Sequence, residues 1–221
     1  IVAEMQAGRL SADGLMVLAR KRERLAWMFE ALRERGITSE QPEKLDLCEA
    51  PAVQDVVALL DALVSTGHDL SLARALKSPL FGWSDDALAL LARLHRRGAA
   101  TVGESGDRPR RPSWWSVLQA FAAMPEPEQI ACLKGLMPGA DAMAQHEVLF
   151  SATAMQLLRY RQWVFSLPPH DALSAIYGAG DVLARFARAV PASQRAGVLA
   201  QLRDLLTQAL AQEGGRFLTP Y

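Results

Sequence analysis

Apolar residues recur every three to four positions through most of this chain, which is the spacing of amphipathic α-helices. The first such stripe consists of Leu25, Met28, Phe29 and Leu32, on a helix that should end near Gly36. Similar stripes continue to about residue 212. The pattern therefore predicts a mainly helical protein.

Capping residues and helix breakers position the later helices. Pro51 suits a first helical turn, and Asp69, Ser84 and Ser113 are good N-caps. Further helices are predicted at about residues 127–136, 141–166, 170–177, 180–189 and 192–212. The last of them carries an apolar seam that must pack on other helices, formed by Leu199, Leu202, Leu205, Leu206 and Ala209.

One segment departs from the helical pattern. Residues Leu15 to Ala19 are all apolar, which is typical of a strand covered on both faces inside a parallel sheet. Residues 37–41 and 44–48 could each add a short strand or an extended piece. The predicted fold is mainly α, a helical subdomain attached to a small, incomplete α/β piece.

These patterns divide the chain into two parts. Residues 1–50 form the predicted α/β piece, and residues 51–221 form the helical part. Within the helical part, residues 96–112 hold three glycines, two prolines and five arginines without an apolar period, which predicts a mobile loop. The arginines of this loop are candidate phosphate contacts for DNA, and the alternative is a solvated loop: Arg96, Arg97, Arg108, Arg110 and Arg111.

Composition narrows the class of protein without identifying its partners. Lys plus Arg and Asp plus Glu both total 24, so the chain has no overall charge that would attract nucleic acid or membrane. Cys48 and Cys132 are widely separated and fit buried free thiols in a reducing compartment. No apolar run is long enough to span a bilayer. We expect a cytoplasmic protein, and the initial Ile1 and the incomplete sheet lead us to expect a piece of a longer chain.

Internal motifs do not form a catalytic centre. GAATVGES, from Gly98 to Ser105, has Glu104 where a phosphate-binding loop needs lysine. The four histidines lack metal-ligand spacing, so no metal site is expected. Trp114 and Trp115 could stack on nucleic-acid bases, although large aromatics on a helix more often belong to a core.

Three stretches, taken in order, resemble the UvrD/Rep-like superfamily 1 DNA helicases, and among them the AddA/RecB-type helicase–nuclease subunits. LMVLARKRERLAWMFEALRERGI is similar to their fourth helicase motif, a hydrophobic strand ending in arginine and followed by a helix. KLDLCEAPAVQDVVALLDAL resembles the following motif, and LARALKSPLFGWSDDAL resembles a later segment of the family. The residues that match these two motifs are Glu49, Val53, Asp55, Ser78, Pro79 and Gly82.

The resemblance implies a fold and an activity for the parent protein. The first part would belong to the second RecA-like motor domain, called 2A, and the helical remainder would be the 2B subdomain inserted into it. Arg20 matches the arginine that reaches the γ-phosphate of ATP held by the first motor domain. ATP and Mg²⁺ would serve the full-length protein, whereas this chain lacks a Walker A motif and is expected to be inactive alone.

The implied function is ATP-dependent unwinding and processing of DNA ends in double-strand-break repair, with the remaining motor domains and a second subunit as partners. One departure concerns Ala19, which stands where UvrD and Rep carry an adenine-stacking tyrosine. The alternative is a self-contained helical protein–protein interaction domain without catalysis. The two interpretations make different predictions for Arg20. A motor fragment should leave this arginine exposed at the edge of an incomplete sheet, whereas an interaction domain should complete its sheet and hold the arginine in a local ion pair.

Overall fold

The computed structural model describes residues 2–8, 10–11, 14–37, 39, 47–101, 112–136 and 140–211. These residues form eleven α-helices and no strand, so the predicted mainly helical fold is confirmed. The helices are α1 (Val2–Gln6), α2 (Arg22–Glu34), α3 (Pro51–Val64), α4 (Asp69–Lys77), α5 (Asp85–Thr101), α6 (Trp114–Ala123), α7 (Glu126–Lys134), α8 (Ala140–Ser166), α9 (Pro169–Gly180), α10 (Val182–Ala189) and α11 (Ala192–Ala211).

The chain divides into two compact units, Ile1–Leu45 and Asp46–Tyr221. The first, unit 1, contains α1 and α2, and none of its described side chains is buried. Helix α2 ends before Gly36, whose φ of 71° places it in the left-handed region that glycine adopts without strain. The predicted end of this helix is therefore confirmed.

The strand predicted over residues Leu15 to Ala19 is not formed. These residues have no regular secondary structure, and Met16 and Leu18 are 81% and 86% exposed. A strand needs a neighbouring strand to accept and donate its backbone hydrogen bonds, and the described part of the chain supplies none. Of the two further predicted extended pieces, most residues lie outside the described ranges, and Leu47–Glu49 forms a 3₁₀ turn.

Unit 2 contains α3 to α11 around one hydrophobic core. Helix α8 lies at the centre, because it packs against α3, α6, α7 and α9. Apolar spacing predicts a buried stripe on α3 formed by Val53, Val56, Val57, Leu60, Leu63 and Val64. This prediction is partly wrong: Val57 is 49% exposed, while Ala52 and Leu59 are buried. Those two residues face the core because α3 is covered by α4, α8 and α11, so its buried face is broader than one stripe.

Helix α5 extends further than the sequence predicts. It continues to Thr101, so the predicted loop at residues 96–112 begins later, and residues 102–111 lie outside the described ranges. Two bonds join this part of α5 to the end of α7: Arg93 donates to the Leu136 carbonyl, just beyond α7, and Arg97 donates to the Cys132 carbonyl. Arg97 lies in the part of α5 whose sequence lacks apolar periodicity, so its bond to α7 favours the helical form there.

The 3₁₀ turn that precedes α3 lies against α11, the last described helix, which also packs on α3. Leu202 of the predicted α11 seam is fully buried, and the hydroxyl of Tyr177 donates to its carbonyl at 3.2 Å. Helix α11 therefore packs against the first helix of unit 2 as well as against α9 and α10.

Candidate functional site

Arg20 lies two residues before α2 and is exposed. Among the described residues it makes no hydrogen bond or ion pair. The apolar segment before it is also exposed, and so is Trp27 on α2, at 73%. The guanidinium is therefore free to contact an anionic group on another domain or molecule.

Asp55 and Glu49 match the second family motif and differ in environment. Asp55 of α3 accepts a hydrogen bond from Arg74 Nε of α4 at 2.8 Å. The same guanidinium donates to the side-chain oxygen of Gln54, and Gln54 donates to the carbonyl of Cys48 at 3.0 Å. Glu49 lies exposed in the 3₁₀ turn. Asp55 thus joins α3 to α4, and this contact is structural.

Ser78, Pro79 and Gly82 match the third motif and form the turn that ends α4. The hydroxyl of Ser78 donates to the Ala75 carbonyl at 2.7 Å and accepts from the Leu80 amide at 3.2 Å. Gly82 has a φ of 68°, a left-handed conformation that an L side chain adopts at a cost of about 1–2 kcal/mol. The motif therefore specifies backbone geometry between α4 and α5.

Trp83 follows this turn directly, and the sequence analysis assigns it no structural or functional role. Its ring stacks on Phe150 of α8 with centroids 4.7 Å apart, and its Nε1 donates to the Thr153 hydroxyl at 3.2 Å. The amide of Trp83 also donates to the Leu76 carbonyl at 2.9 Å. The turn thus anchors the first helices of unit 2 to its central helix, a long-range contact that no local sequence pattern contains.

The predicted phosphate-contacting arginines are only partly described. Arg96 is exposed and donates only to the carbonyl of Ala92, in its own helix. Arg97 donates to the Cys132 carbonyl at 3.3 Å, and Arg93, which sequence reasoning missed, donates to the Leu136 carbonyl at 3.0 Å. Arg108, Arg110 and Arg111 lie outside the described residues.

The aromatic and thiol candidates have structural environments. Trp115 is buried in the core of unit 2, and Trp114 packs against that core, which favours the core reading over base stacking. Cys48 and Cys132 form no disulfide, and Cys48 is exposed where a buried thiol was predicted. Its position in the 3₁₀ turn places it at the surface of unit 2.

One hydrogen-bonded group of titratable side chains joins α3 to α4. Asp61 accepts from the Ser71 hydroxyl and lies 2.9 Å from Nδ1 of His68. The hydrogen bond from Ser71, followed by that from His68, holds the pKa of the Asp61 carboxyl below its usual value. The described residues contain no cluster of ligating side chains that could hold a metal ion, and no described helix is long and apolar enough to cross a membrane.

Comparisons of this chain with protein-family models, with curated proteins and with solved structures found no match.

Proposed function

We propose that this chain is part of an AddA/RecB-like, ATP-dependent DNA helicase that unwinds and processes DNA ends in double-strand-break repair. The observation that carries the proposal is the position of Arg20 at the end of an exposed apolar segment, where it is exposed and bonds to no described residue. It favours a motor arginine over a self-contained domain, in which a completed sheet would bury the segment and a local ion pair would hold the arginine.

Burial energetics support an external partner for this segment. Covering a Leu, Met or Val side chain contributes about 1.5–3 kcal/mol, and Met16 and Leu18 gain almost none of this in the structure. An apolar extended segment with unpaired backbone groups also invites association with another strand. In the proposal, the rest of motor domain 2A supplies those strands, and residues 15–19 become the buried α/β piece of a RecA-like fold.

Arg20 then acts across the cleft between the two motor domains. ATP and Mg²⁺ would be held by the first motor domain, and the guanidinium of Arg20 would contact the γ-phosphate. A planar guanidinium placed on developing phosphoryl charge lowers the barrier to transfer, and its location on the second domain makes hydrolysis depend on closure of the cleft. Ala19 offers no aromatic ring for adenine, so the proposal assigns no base stacking to this side.

Unit 2 takes the role of the inserted 2B subdomain. The described residues of its core all belong to unit 2, and its first turn lies against its last described helix. An inserted domain needs its two ends close together, and contact between the first turn and the last described helix is in keeping with this requirement. These features support the assignment of a helical accessory subdomain. The proposal also places the protein in the cytoplasm, with DNA and a second helicase–nuclease subunit as partners.

A second candidate function is a helical protein–protein interaction domain. One observation favours it: the long central helix α8 exposes Val148, Met155 and Leu158 to between 50% and 64%. These three side chains follow helical spacing and lie on a helix whose opposite side packs on other helices of unit 2. An exposed apolar stripe of this kind can bind another helix.

The reading frame on either side of this chain separates the two functions. The motor proposal predicts a strand–GxxxxGK[ST]–helix segment upstream and the remaining strands of a RecA-like domain downstream. A frame that contains neither segment would leave the interaction domain as the better account.

A further inference from the structure

We infer that two copies of this chain associate through α8, whose exposed apolar face packs antiparallel against the same face of the second copy. Residues of this face recur at alternating steps of four and three, which is the spacing of a coiled-coil contact. This α8 seam consists of Ala144, Val148, Ser151, Met155, Leu158 and Gln162, all exposed except the half-buried Ser151. The inference names an occupant for the exposed stripe of α8 and does not depend on the helicase proposal.

The exposed side of α8 carries almost no charge. Between residues 144 and 162, Arg159 is the single charged residue that is exposed. By contrast, the exposed residues of α11 include Arg195, Arg203 and Asp204. Homodimer interfaces are more apolar than the rest of a protein surface, and charged residues are depleted at their centre. The composition of the α8 seam therefore favours a second copy over a charged partner.

An antiparallel pair makes the seam complementary to itself. A two-fold axis that crosses α8 near residue 153 places Val148 against Leu158 of the second copy. The same axis places Met155 against Ser151 of the second copy. Both layers join a larger side chain to a smaller one, so that facing side chains can interdigitate.

The charge of Arg159 selects the antiparallel over the parallel arrangement. In the antiparallel pair the two copies of Arg159 lie about 18 Å apart along the helices, at a rise of 1.5 Å per residue. This distance exceeds the Debye length of about 8 Å at physiological salt, so their repulsion is screened. In a parallel pair they would face each other across an interaxial distance of about 8–10 Å. The antiparallel pair also brings the amide of Gln145 of the second copy to the flank that carries Arg159.

The length of the seam sets the expected strength of association. Residues 144–162 span about 27 Å of helix. Stable interfaces bury about 1,200–2,000 Å² in total, and a contact confined to one helix of this length belongs with the weak and transient ones. We therefore expect a reversible dimer with a dissociation constant on the order of 100 μM.

Sedimentation equilibrium of the whole chain, up to about 1 mM, measures this association. Met155→Lys should raise the dissociation constant at least about tenfold, because each copy loses a buried apolar side chain and the two added charges lie near the axis. The matched control is Leu210→Lys on α11, where the leucine is 53% exposed. It should associate like the unaltered chain, and circular dichroism should show unchanged helicity for both variants.

Mixtures of two variants test the antiparallel register. Val148→Glu mixed with Leu158→Lys should place opposite charges in one layer and keep the native apolar pair in the other. The control mixture is Val148→Lys with Leu158→Lys, which places like charges in the same layer. The first mixture should associate at least about tenfold more tightly than the control. A parallel pair brings neither set of charges together, so it predicts equal association of the two mixtures.

Three results would overturn the inference: a chain that remains monomeric at about 1 mM, equal dissociation constants for Met155→Lys and Leu210→Lys, or equal association of the two mixtures. The helicase proposal is judged separately by the flanking reading frame. A monomeric chain flanked by motor motifs would refute only the dimer, and a dimer without those motifs would refute only the helicase.

Discussion

At the residue scale, three side chains from α3, the following loop and α4 meet at the carboxylate of Asp61. The Ser71 hydroxyl and the His68 imidazole both bond to it, and both contacts favour its charged form. His68 and Asp61 are partly exposed, so solvent weakens the interaction. The group therefore stabilises the α3–α4 connection modestly and depends on ionisation of Asp61.

Acid titration of stability should reveal this group. Because the folded-state pKa of Asp61 lies below its unfolded value of about 3.9, its contribution is present above that pH and is lost as pH falls through the folded pKa. Asp61→Asn should lower the free energy of unfolding by less than about 1 kcal/mol near pH 5 and by a smaller amount near pH 2. Urea unfolding at the two pH values measures the difference.

The control for this titration is Asp204→Asn, an exposed aspartate of α11 with no hydrogen bond to another described residue. It should change stability little at either pH. An Asp61→Asn penalty of equal size at both pH values would show that the carboxylate charge is irrelevant.

At the scale of elements, local sequence predicts the end of a helix well when a single capping side chain or a single backbone conformation determines it. Ser113 accepts from the Ser116 amide at 3.2 Å as an N-cap should, and Gly36 ends α2. Asp69 is different, because its carboxylate accepts from the amide of Trp114 at 2.7 Å and thus caps α6 instead of its own helix α4. A carboxylate that is free to reach a neighbouring helix cannot be assigned from its own segment.

Predictions of secondary structure failed where the structure of a segment depends on contacts with residues distant in sequence. A strand over residues 15–19 requires neighbouring strands, which apolar composition alone does not guarantee. Arg97, inside the extension of α5, bonds to the Cys132 carbonyl of α7, a contact 35 residues away that the local sequence does not contain. The candidate site was predictable as far as Arg20 and the motif residues, whereas the bond of Arg93 to the Leu136 carbonyl depends on the helix packing.

The contact between α8 and α9 gives a second prediction, because Gly180 lies against Tyr160. A Cβ at Gly180 would be 2.6 Å from the Tyr160 hydroxyl. The Tyr160 ring is buried and stacks on Trp163, and its hydroxyl accepts a hydrogen bond from Gln156, so the side chain cannot easily move. Gly180→Ala should therefore lower the free energy of unfolding by about 1–3 kcal/mol in urea titrations.

Gly178, in the same helix, is the matched control. A Cβ there meets no atom within 4 Å, and the residue is exposed. Gly178→Ala should be neutral or stabilise by up to about 1 kcal/mol, because alanine loses less entropy in a helix. If both substitutions destabilise equally, helix propensity and not the Tyr160 contact controls this position.

At the scale of the whole molecule, the two units differ in their ability to stand alone. All the buried side chains come from Ala50 onward, while unit 1 buries none of its described side chains. We expect residues 46–221 to fold without unit 1. Their thermal midpoint, measured by circular dichroism, should lie within about 4 °C of that of the whole chain, a difference of roughly 1–2 kcal/mol. Loss of cooperative unfolding on this truncation would contradict the division.

The central claim is that Arg20 serves an ATP-driven motor, and DNA-stimulated ATP hydrolysis by the full-length protein tests it most directly. Arg20→Ala should leave DNA affinity nearly unchanged and slow hydrolysis by orders of magnitude, since in-trans arginine fingers contribute about 10³–10⁵ in rate. Lysine at this position should rescue poorly, because it lacks the planar fork. Arg24→Ala, four residues further along, should hydrolyse ATP like the unaltered protein. Equal turnover by the Arg20→Ala and Arg24→Ala proteins would contradict the motor assignment.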